Sequence, residues 1–470
     1  MTTAWIDLSA HEIAAQVRSG TMTARQSVQA ALARLRDTDP GLIAFTTVTE
    51  ARALARADAI DAQLAAGQDP GLLTGVPFAV KDLVDVAGVI TRAGSKINLD
   101  NAPASADAPV VARLEAAGGI LIGALNMGEY AYDFTGENAH VGSTRNPRDP
   151  SRRPGGSSGG SGAAVAAGMV PLAVGSDTNG SIRVPSSWCG LFGLKATYGR
   201  VPRTGTFPFV DSFDHIGPIA RSVQDLAIAL EAMQGVDAGD PASQDHPPCP
   251  ALSTLETGIG GLRLARGAGH FAPAPGPAKD ALDRCCAALS ITAEITLPGV
   301  AEARAAAMII TAVEGAATHV ESLQTRPEDF GAPIRDRLIA GALIPGVAYV
   351  RAQRLRRQFA EDMARVFESV DAILVPTTPF AAPPIDDDMI MVNGRPENYR
   401  AHIGPYVQPI SFIGLPVVSV PVQNADGALP IGVQIIAPPW REDIALRIAR
   451  ALEASGTCAA PTAQIKETTA

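Results

Sequence analysis

Histidine and lysine are scarce in this chain, and the scarcity limits the chemistry that it can perform. The 470 residues include only seven histidines, and the five lysines are Lys81, Lys96, Lys195, Lys279 and Lys466. No two histidines have the HExxH spacing and no two cysteines have zinc-ribbon spacing, so metal catalysis is not expected and no cofactor is predicted. A catalytic serine would therefore need a base other than the usual histidine.

Other shortages argue against whole classes of protein. A net charge of −10 argues against a function in binding the phosphates of nucleic acids. The chain has no apolar run of about 18 residues or more and no secretory leader pattern, so neither a membrane-spanning helix nor export is expected. The five cysteines, an odd number without regular spacing, indicate reduced thiols in a cytoplasmic protein.

Short apolar runs alternate with helical patterns along most of the sequence. The runs predict buried strands at 75–80, 120–126, 169–176, 370–379, 414–423 and 430–438. Amphipathic patterns predict helices at 107–118, 161–168, 277–289, 347–369 and 441–455. This alternation is typical of an α/β fold with a largely buried mixed sheet. The Asp-Gly pair within NADGAL, residues 424–429, predicts a hairpin turn between the last two strands.

The sequence predicts one main domain with short additions at both ends. Residues 1–65 are expected to form helices, introduced by two capping-box patterns, that pack on the core. Residues 66–460 form the domain itself, and 461–470 form a C-terminal tail. The stretch 236–276 is rich in proline, glycine and alanine, which fits either a linker or an excursion. Because strand patterns resume after it, a single domain is favoured.

Three short stretches carry the candidate chemistry, and the first is GSDTNGSIRVP, residues 175–185. An apolar run leads into it, and the chain must turn sharply at Asn-Gly just before Ser181. Successive N–H groups in such a turn can converge on one anion, as an oxyanion hole requires. Asp177 and Arg183 flank the turn with opposite charges and are expected to pair. The competing interpretation is that Ser181 only caps a helix that begins at Ile182.

The second stretch, RRPGGSSGGSGAAVAAG at 152–168, places glycines and serines directly before a helical pattern. Its glycines permit close approach of another segment, and its serines can accept hydrogen bonds from the free N–H groups of the helix start. A flexible Gly/Ser linker is the alternative. The motif GxSxG, at Gly155, Ser157 and Gly159, does not indicate an α/β-hydrolase, because the preceding residues contain three prolines and cannot form the required strand. No GK[ST] follows, which excludes a phosphate-binding loop.

The third stretch, GVPFAVKDLVDVAG at 75–88, has Lys81 at the end of a predicted strand. A buried lysine is costly unless it is paired or neutral, so the alternative is an exposed strand end with only the stem of the side chain covered. A desolvated lysine that is neutral near pH 7 can act as a base. Serine nucleophiles served by lysine are a known variant of triad chemistry, and a second serine can carry the proton between them.

These stretches together resemble the amidase signature family. PGGSSGGSGAAVAAG and PLAVGSDTNGSIRVPSSWCGLFGLKATYGR are similar to its core signature, and GVPFAVKD is similar to its lysine strand. FDHIGPIARSVQDLA, ILVPTTP and GLPVVSVPV match later parts of the family pattern, so the likeness spans about residues 5–455. The resemblance implies a single α/β/α domain, with a large mixed sheet covered by helices on both faces, that hydrolyses amides with a Ser–cisSer–Lys triad.

The resemblance also implies a role for each residue of the site. Ser181 would be the nucleophile and Lys81 the base. Between them, Ser157 would be the bridging serine, in a cis peptide with Gly156. The oxyanion hole would be formed by the backbone N–H groups of Thr178, Asn179, Gly180 and Ser181. The loop would be supported by Ser158, Asp177 and Arg183.

The turn before the nucleophile departs from the family pattern. Family members usually have Gly-Gly, whereas this chain has Asn179-Gly180. Asparagine is the residue other than glycine that best tolerates left-handed backbone angles. The change is therefore either conformationally silent or gives the substrate an additional amide donor, and the sequence leaves both alternatives open.

Within the family, DTNGSIRVPSS, FPFVDSFDHIGP and IAPPWREDIALRIA look most like the 1-carboxybiuret hydrolase branch of s-triazine degradation. This likeness implies a small anionic amide as substrate, release of ammonia, a homodimer or heterotetramer, and a small accessory subunit. The alternatives are the glutaminase A subunit of a tRNA amidotransferase, another small-amide amidase, and a non-catalytic module that keeps the fold. The presence of all three triad residues argues against the last.

The carboxylate of an anionic substrate is best bound by two parallel N–H donors, which the guanidinium group of arginine provides. The helix-like stretch GAPIRDRLIAGAL, 331–343, lies in the region where amidotransferase A subunits place a substrate-binding arginine, and it offers Arg335 and Arg337. Arg337 is slightly favoured, and the alternative for both is a solvent-exposed side chain or a structural ion pair. Tyr132 and Asn179 are the remaining candidates for contact with substrate.

Overall fold

An eleven-stranded mixed sheet is the centre of the computed structural model, which describes residues 2–392, 395–423 and 428–465. The strands are β1 (Phe45–Val48), β2 (Pro77–Lys81), β3 (Ile120–Leu125), β4 (Leu172–Ser176), β5 (Phe192–Lys195), β6 (Ile216–Ala220), β7 (Leu264–Ala268), β8 (Glu294–Thr296), β9 (Ala372–Pro376), β10 (Met389–Val392), β11 (Arg395–Asn398), β12 (Val417–Val422) and β13 (Ile431–Ile436). The order across the main sheet is β1-β3-β2-β4-β6-β5-β12-β13-β9-β7-β8, and β10 pairs separately with β11.

Fifteen α-helices are found in the described residues. They are α1 (Thr2–Asp7), α2 (Ala10–Arg18), α3 (Ala24–Leu42), α4 (Glu50–Ala65), α5 (Pro109–Ala116), α6 (Gly159–Ala166), α7 (Arg183–Cys189), α8 (Val223–Met233), α9 (Ala251–Leu255), α10 (Pro277–Ala288), α11 (Val300–Thr325), α12 (Ala332–Ala342), α13 (Gly346–Ser369), α14 (Arg400–Phe412) and α15 (Glu442–Ala454). Within the described ranges, none of these helices combines the length and the apolarity needed to span a membrane.

Helices cover both faces of the main sheet. Every residue of β2, β3, β4, β12 and β13 is buried, which requires cover on both sides. Helix α6 packs against β4, α8 packs against β6, and α7 and α15 pack against β12 and β13. The α/β/α architecture expected from the sequence is confirmed.

The elements expected from strong local signals are present in the structure. All six predicted strands and all five predicted helices occur within a few residues of the expected bounds. Both capping boxes form. The Ser9 and Thr23 hydroxyls accept hydrogen bonds from the backbone N–H groups three residues later. The side chains of Glu12 and Gln26 accept hydrogen bonds from the backbone N–H groups of Ser9 and Thr23.

The structure corrects two expectations about chain organisation. The N-terminal 65 residues are not all helical, since β1 pairs antiparallel with β3 at the edge of the sheet. The stretch 236–276 is not only a linker, since it contains β7, which pairs in parallel with β8 and β9. The expected turn in NADGAL falls on 424–427, outside the described residues, although β12 and β13 pair antiparallel as predicted.

The sheet brings two chemically important segments to one edge. Strands β2 and β4 are parallel neighbours, with Val80 opposite Val174. The carboxyl ends of parallel strands meet at the same edge of a sheet, where α/β proteins bind ligands. Lys81 is the last residue of β2 and Ser176 is the last residue of β4, so their side chains can meet there.

Helices α11 to α14 form a layer beside this edge. Helix α11 packs against α12, α13 and α14. A small apolar cluster that includes Trp188, Ile403 and Val407 joins α14 to α7. A cavity of about 700 Å³ lies between these helices and the segment that follows β4.

Candidate active site

Lys81 is fully buried at the end of β2 and contacts two serine hydroxyls. Its Nζ lies 2.6 Å from Ser157 Oγ and 2.8 Å from Ser176 Oγ. Burial lowers the pKa of the Lys81 ammonium to about 7, against the attraction of nearby carboxylates such as Asp214 and Asp177. A substantial fraction of Lys81 is therefore neutral near pH 7, and its Nζ lies within hydrogen-bond distance of two hydroxyl groups. The exposed strand end considered from the sequence is wrong.

Ser157 is held by a segment with little room for side chains. The peptide bond between Gly156 and Ser157 is cis, as the resemblance implies. A Cβ atom at Gly156 would lie 2.5 Å from the backbone nitrogen of Gly136 and 2.7 Å from Asp133 Oδ2, so only glycine fits there. The carbonyl oxygen of Ser157 accepts a hydrogen bond of 3.1 Å from the Gly128 N–H.

Ser158 acts at the end of β4 and not as a helix cap. Its hydroxyl donates to the Ser176 carbonyl oxygen at 3.1 Å and accepts from the Ser176 N–H at 3.2 Å. The expectation that serines cap the following helix is wrong for Ser158, which precedes α6 but makes no capping hydrogen bond. Its contacts instead fix the strand that leads to the Ser181 turn. Ser176 was not recognised from the sequence, and the signal was its position at the end of a predicted parallel strand.

Ser181 lies at the floor of the cavity. Its side chain is nearly buried, and its hydroxyl makes no hydrogen bond to any described residue. The Ser158 N–H donates to the Ser181 carbonyl oxygen at 3.3 Å, so the two segments are adjacent, but no hydrogen bond joins the Ser157 and Ser181 hydroxyls within the described part of the chain. Catalytic hydrogen bonds often close only when substrate is bound. Ser181 is not a helix cap, since α7 begins at Arg183 and is preceded by Ile182.

The turn before Ser181 is organised by Asp177. One carboxylate oxygen accepts the Gly180 N–H at 2.7 Å, and the other accepts Arg183 Nε at 2.9 Å. Burial would raise the pKa of Asp177, but the Arg183 guanidinium holds this pKa well below its usual range. The expected pairing of Asp177 with Arg183 is therefore confirmed, and both side chains are fully buried.

The contact with Asp177 changes the expected oxyanion hole. The Gly180 N–H already has an acceptor, so Gly180 does not offer its N–H to a substrate. The N–H groups of Thr178, Asn179 and Ser181 have no acceptor among the residues that the structure describes. Three of the four expected donors therefore remain open.

Asn179 does not use the left-handed backbone angles that the sequence suggested. It is absent from the positive-φ residues of the described chain, whereas Gly180 has φ +127°. The Asn179 amide nitrogen donates to Thr311 Oγ1 at 3.0 Å, and its oxygen is buried without a hydrogen-bond donor in the described structure. The left-handed reason is therefore wrong, but asparagine still fits the turn without backbone strain, and its side chain is fixed against α11.

Two residues of FDHIGP hold the turn from the other side, and sequence reasoning gave them no role. Asp214 accepts a hydrogen bond of 2.6 Å from the Thr178 hydroxyl. His215 Nδ1 donates to the Asp177 carbonyl oxygen at 3.0 Å, and its Nε2 lies 3.2 Å from Lys195 Nζ. Burial and the neighbouring lysine lower the pKa of His215, so the ring is neutral and supports the turn by hydrogen bonding.

The two candidate arginines of α12 lie in different environments. Arg337 lines the cavity, donates to the Tyr132 carbonyl oxygen at 2.7 Å and lies over the Tyr132 ring, with 5.0 Å between Cζ and the ring centroid. Tyr132 also lines the cavity, as expected of a substrate-contacting residue. Arg335 does not line it, and pairs with Glu328 and Asp336 on the outer side of the helix. Two residues along a helix differ by about 200° in direction, which explains the difference.

The charges around the cavity are mainly positive. Besides Arg337, the lining includes Arg304 and Arg400. Arg400 pairs with Glu137 and Asp388, whereas Arg304 and Arg337 have no carboxylate partner among the described residues. Asp133 is the one carboxylate in the described lining, and it accepts hydrogen bonds from the backbone N–H groups of the turn that follows it. The cavity can therefore accept an anion.

The chain is similar to known proteins over most of its length. The amidase family profile matches residues 26–446. The chain is 48% identical over 447 residues to AtzE, a 1-carboxybiuret hydrolase subunit of Pseudomonas sp. (strain ADP), an alignment that covers 95% of this chain and 98% of that protein. It is 40% identical over 453 residues to the A subunit of glutamyl-tRNA(Gln) amidotransferase from Azotobacter vinelandii (strain DJ / ATCC BAA-1303), covering 90% of this chain and 92% of that protein.

A solved structure has nearly the same backbone. It is described as "An unexpected vestigial protein complex reveals the evolutionary origins of an s-triazine catabolic enzyme". Its chain superposes with a TM-score of 0.94 at 47% identity, covering 96% of this chain and 99% of that chain.

Proposed function

The chain belongs to the amidase family, and on that premise we propose that it hydrolyses a small anionic ureide, 1-carboxybiuret or a close analogue, and releases ammonia. The observation that carries the proposal is a pair of guanidinium groups, Arg304 and Arg337, that have no carboxylate partner in the described chain and line the same cavity as Ser181. The similarity to a 1-carboxybiuret hydrolase supports the same substrate class.

The proposed reaction begins with attack of Ser181 Oγ on the scissile carbonyl carbon. The Ser181 proton passes to Ser157 Oγ, and the Ser157 proton passes to the neutral Nζ of Lys81. Collapse of the tetrahedral adduct breaks the C–N bond, and the proton returns through Ser157 to the leaving nitrogen, which departs as ammonia. Water then hydrolyses the acyl-serine with the same groups as base and acid.

The negative oxygen of the tetrahedral adduct requires preorganised donors. We assign this role to the backbone N–H groups of Thr178, Asn179 and Ser181, which have no acceptor in the described structure. The Gly180 N–H instead fixes the turn through Asp177. This division of roles is supported by the buried Asp177–Arg183 pair, which holds the turn without help from substrate.

Glutamine fits the cavity less well than a substrate that carries only negative charge. Free glutamine has an α-ammonium group, which needs a carboxylate or several acceptors. The one carboxylate of the described lining, Asp133, already accepts three backbone N–H groups and a hydroxyl. The glutaminase alternative therefore lacks an acidic partner for the ammonium group.

The proposed function is tested by ammonia release from a panel of substrates. The panel contains 1-carboxybiuret, biuret, glutamine and a simple carboxamide. We expect the highest kcat/KM with 1-carboxybiuret, since it alone combines a ureide with a carboxylate. Equal rates with biuret and its carboxylated form would show that the cavity does not use the charge, and a preference for glutamine would favour the alternative.

Arg337 is expected to hold the carboxylate of the substrate. Arg337→Ala should lower kcat/KM for 1-carboxybiuret by about 30- to 1,000-fold, the range for a severed charge pair, and should affect neutral biuret much less. The matched control is Arg335→Ala, which removes an arginine from the same helix outside the cavity. Equal losses on the charged and neutral substrates would make Arg337 a structural residue.

We also propose that the chain assembles into a heterotetramer that includes a small accessory subunit, or otherwise into a homodimer. The solved structure described as a protein complex supports this. Large apolar side chains are exposed around the junction of α12 and α13, at Ile339, Leu343, Val347 and Val350. Sedimentation of the purified chain tests the proposal, which a fully active monomer would contradict.

A further inference from the structure

Gln408 has a largely buried side chain whose amide group has no hydrogen-bond partner among the described residues. It lies on α14 and lines the cavity, with 7% of its surface exposed. Neither its amide nitrogen nor its oxygen makes a hydrogen bond to any residue that the structure describes, and neither atom is closed off from the cavity. A ligand in the cavity can therefore offer this carboxamide both a donor and an acceptor.

The position of Gln408 is fixed relative to the nucleophile. A Cβ atom at Gly180 would lie 2.7 Å from Val407 Cγ2, and Arg183 Nη2 donates to the Val407 carbonyl oxygen at 3.2 Å. Helix α14 is therefore held against the turn that carries Ser181, and Gln408 follows Val407 directly. Gln408 and Ser181 line the same cavity from these adjacent segments.

The Gln408 carboxamide occupies space that a side chain at position 404 would fill. Gly404 lies one helical turn before Gln408 and also lines the cavity. A Cβ atom at position 404 would overlap Gln408 Oε1. The φ of Gly404 does not lie in the left-handed region, but Gly404 precedes Pro405 in α14, and a proline ring disfavours helical angles for a preceding residue that carries a Cβ atom. The missing side chain therefore leaves room for the carboxamide and also avoids a contact with the ring of Pro405.

Asn179 lines the same cavity but does not offer its amide group to a ligand. Its amide nitrogen donates to Thr311 Oγ1, and its oxygen has almost no accessible surface, although no described residue donates to it. Gln408 therefore carries the amide group of the described lining that a ligand can reach.

We propose that Gln408 recognises the –CO–NH–CO– unit of an acylurea, pairing its amide nitrogen with a substrate carbonyl and its amide oxygen with a substrate N–H. A simple carboxamide has one carbonyl group, which Ser181 attacks and the oxyanion donors bind. It has no second carbonyl group to form a hydrogen bond with Gln408. The inference rests on the proposed function and makes Gln408 the residue that separates ureides from ordinary amides.

The test compares two substrates of equal charge and length. 1-Carboxybiuret is the ureide, and glutaramate replaces its inner N–CO–N by three methylene groups. Gln408→Met keeps the length of the side chain and removes its polar atoms. We expect kcat/KM for 1-carboxybiuret to fall by about 10- to 100-fold, and kcat/KM for glutaramate, or its inhibition constant if it is not hydrolysed, to change less than about threefold.

Gly404→Ala tests the same contact without altering Gln408. The added methyl group should displace the carboxamide and reproduce the selective loss, and the Gly404→Ala/Gln408→Met double variant should lose no more than Gln408→Met alone. Thermal unfolding of each variant shows whether it is folded. Losses by Gln408→Met that are equal on both substrates, or no loss on the ureide, overturn the inference while the proposed function stands. A wild-type protein that hydrolyses no ureide overturns both.

Discussion

Ser181→Ala will lower turnover by about 10⁴-fold or more and leave the protein folded. The loss is large because no acyl-enzyme can form without the hydroxyl oxygen. The fold should survive because the Ser181 hydroxyl makes no hydrogen bond to any described residue, so its removal leaves no buried group unpaired. Ammonia release and circular dichroism of the purified variant measure the two effects.

A neighbouring serine provides the control. Ser161 lies in the same glycine-rich segment as Ser157, but its hydroxyl donates to the Val174 carbonyl oxygen at 3.1 Å, away from the cavity. Ser161→Ala should cost some stability and little turnover, the reverse of Ser181→Ala. A fluorophosphonate should label Ser181 in the wild-type protein and in Ser161→Ala, as seen by mass spectrometry of the peptides. Near-normal ammonia release by folded Ser181→Ala would contradict the assignment of Ser181 as the nucleophile.

The three residues of the proposed triad could be picked out because each is marked by a local pattern. Lys81 follows an apolar run, and Ser157 and Ser181 stand in glycine-containing segments beside predicted strands. Their closeness then follows from the parallel pairing of β2 and β4, which brings the carboxyl ends of both strands to one edge. Local signals and sheet topology agree here, so the sequence carries most of the information.

Short strands escaped prediction because they have too few residues to show a period. The strand β1 has four residues and β8 has three, and β6 contains Pro218 in its centre. Helix α14 carries Pro405 and Pro409, residues that normally end a helix. Tertiary packing decides the conformation of these segments, and Gln408 lies in one of them.

The electrostatic details of the site depend on contacts between distant segments. Asn179 is fixed by Thr311, 132 positions away in the sequence, a contact that no local pattern indicates. The Gly180 N–H donates a hydrogen bond to Asp177, only three residues earlier. The direction of that carboxylate is set by its ion pair with the buried Arg183. Such directions follow from packing and not from residue type or spacing.

Lys81→Arg will lower kcat/KM by about 10³-fold or more, because arginine keeps its proton and cannot accept one from Ser157. In the wild-type protein, burial lowers the pKa of Lys81 to about 7. Below this pH the ammonium form dominates and cannot act as a base. Above it the neutral amine dominates, so kcat/KM should rise with pH through one ionisation near 7 and then level off.

The control and the pH profile separate Lys81 from other lysines. Lys96→Arg should retain full activity, because Lys96 is exposed and pairs with Asp329 outside the cavity. Lys195 also has a pKa lowered to about 7 by burial and Arg183, but its Nζ contacts backbone carbonyl groups and His215 rather than a catalytic hydroxyl. The residual rate of Lys81→Arg should therefore lose its dependence on pH near 7. An active arginine variant contradicts the proton-transfer role, and a rising profile that persists in the variant assigns the ionisation to Lys195.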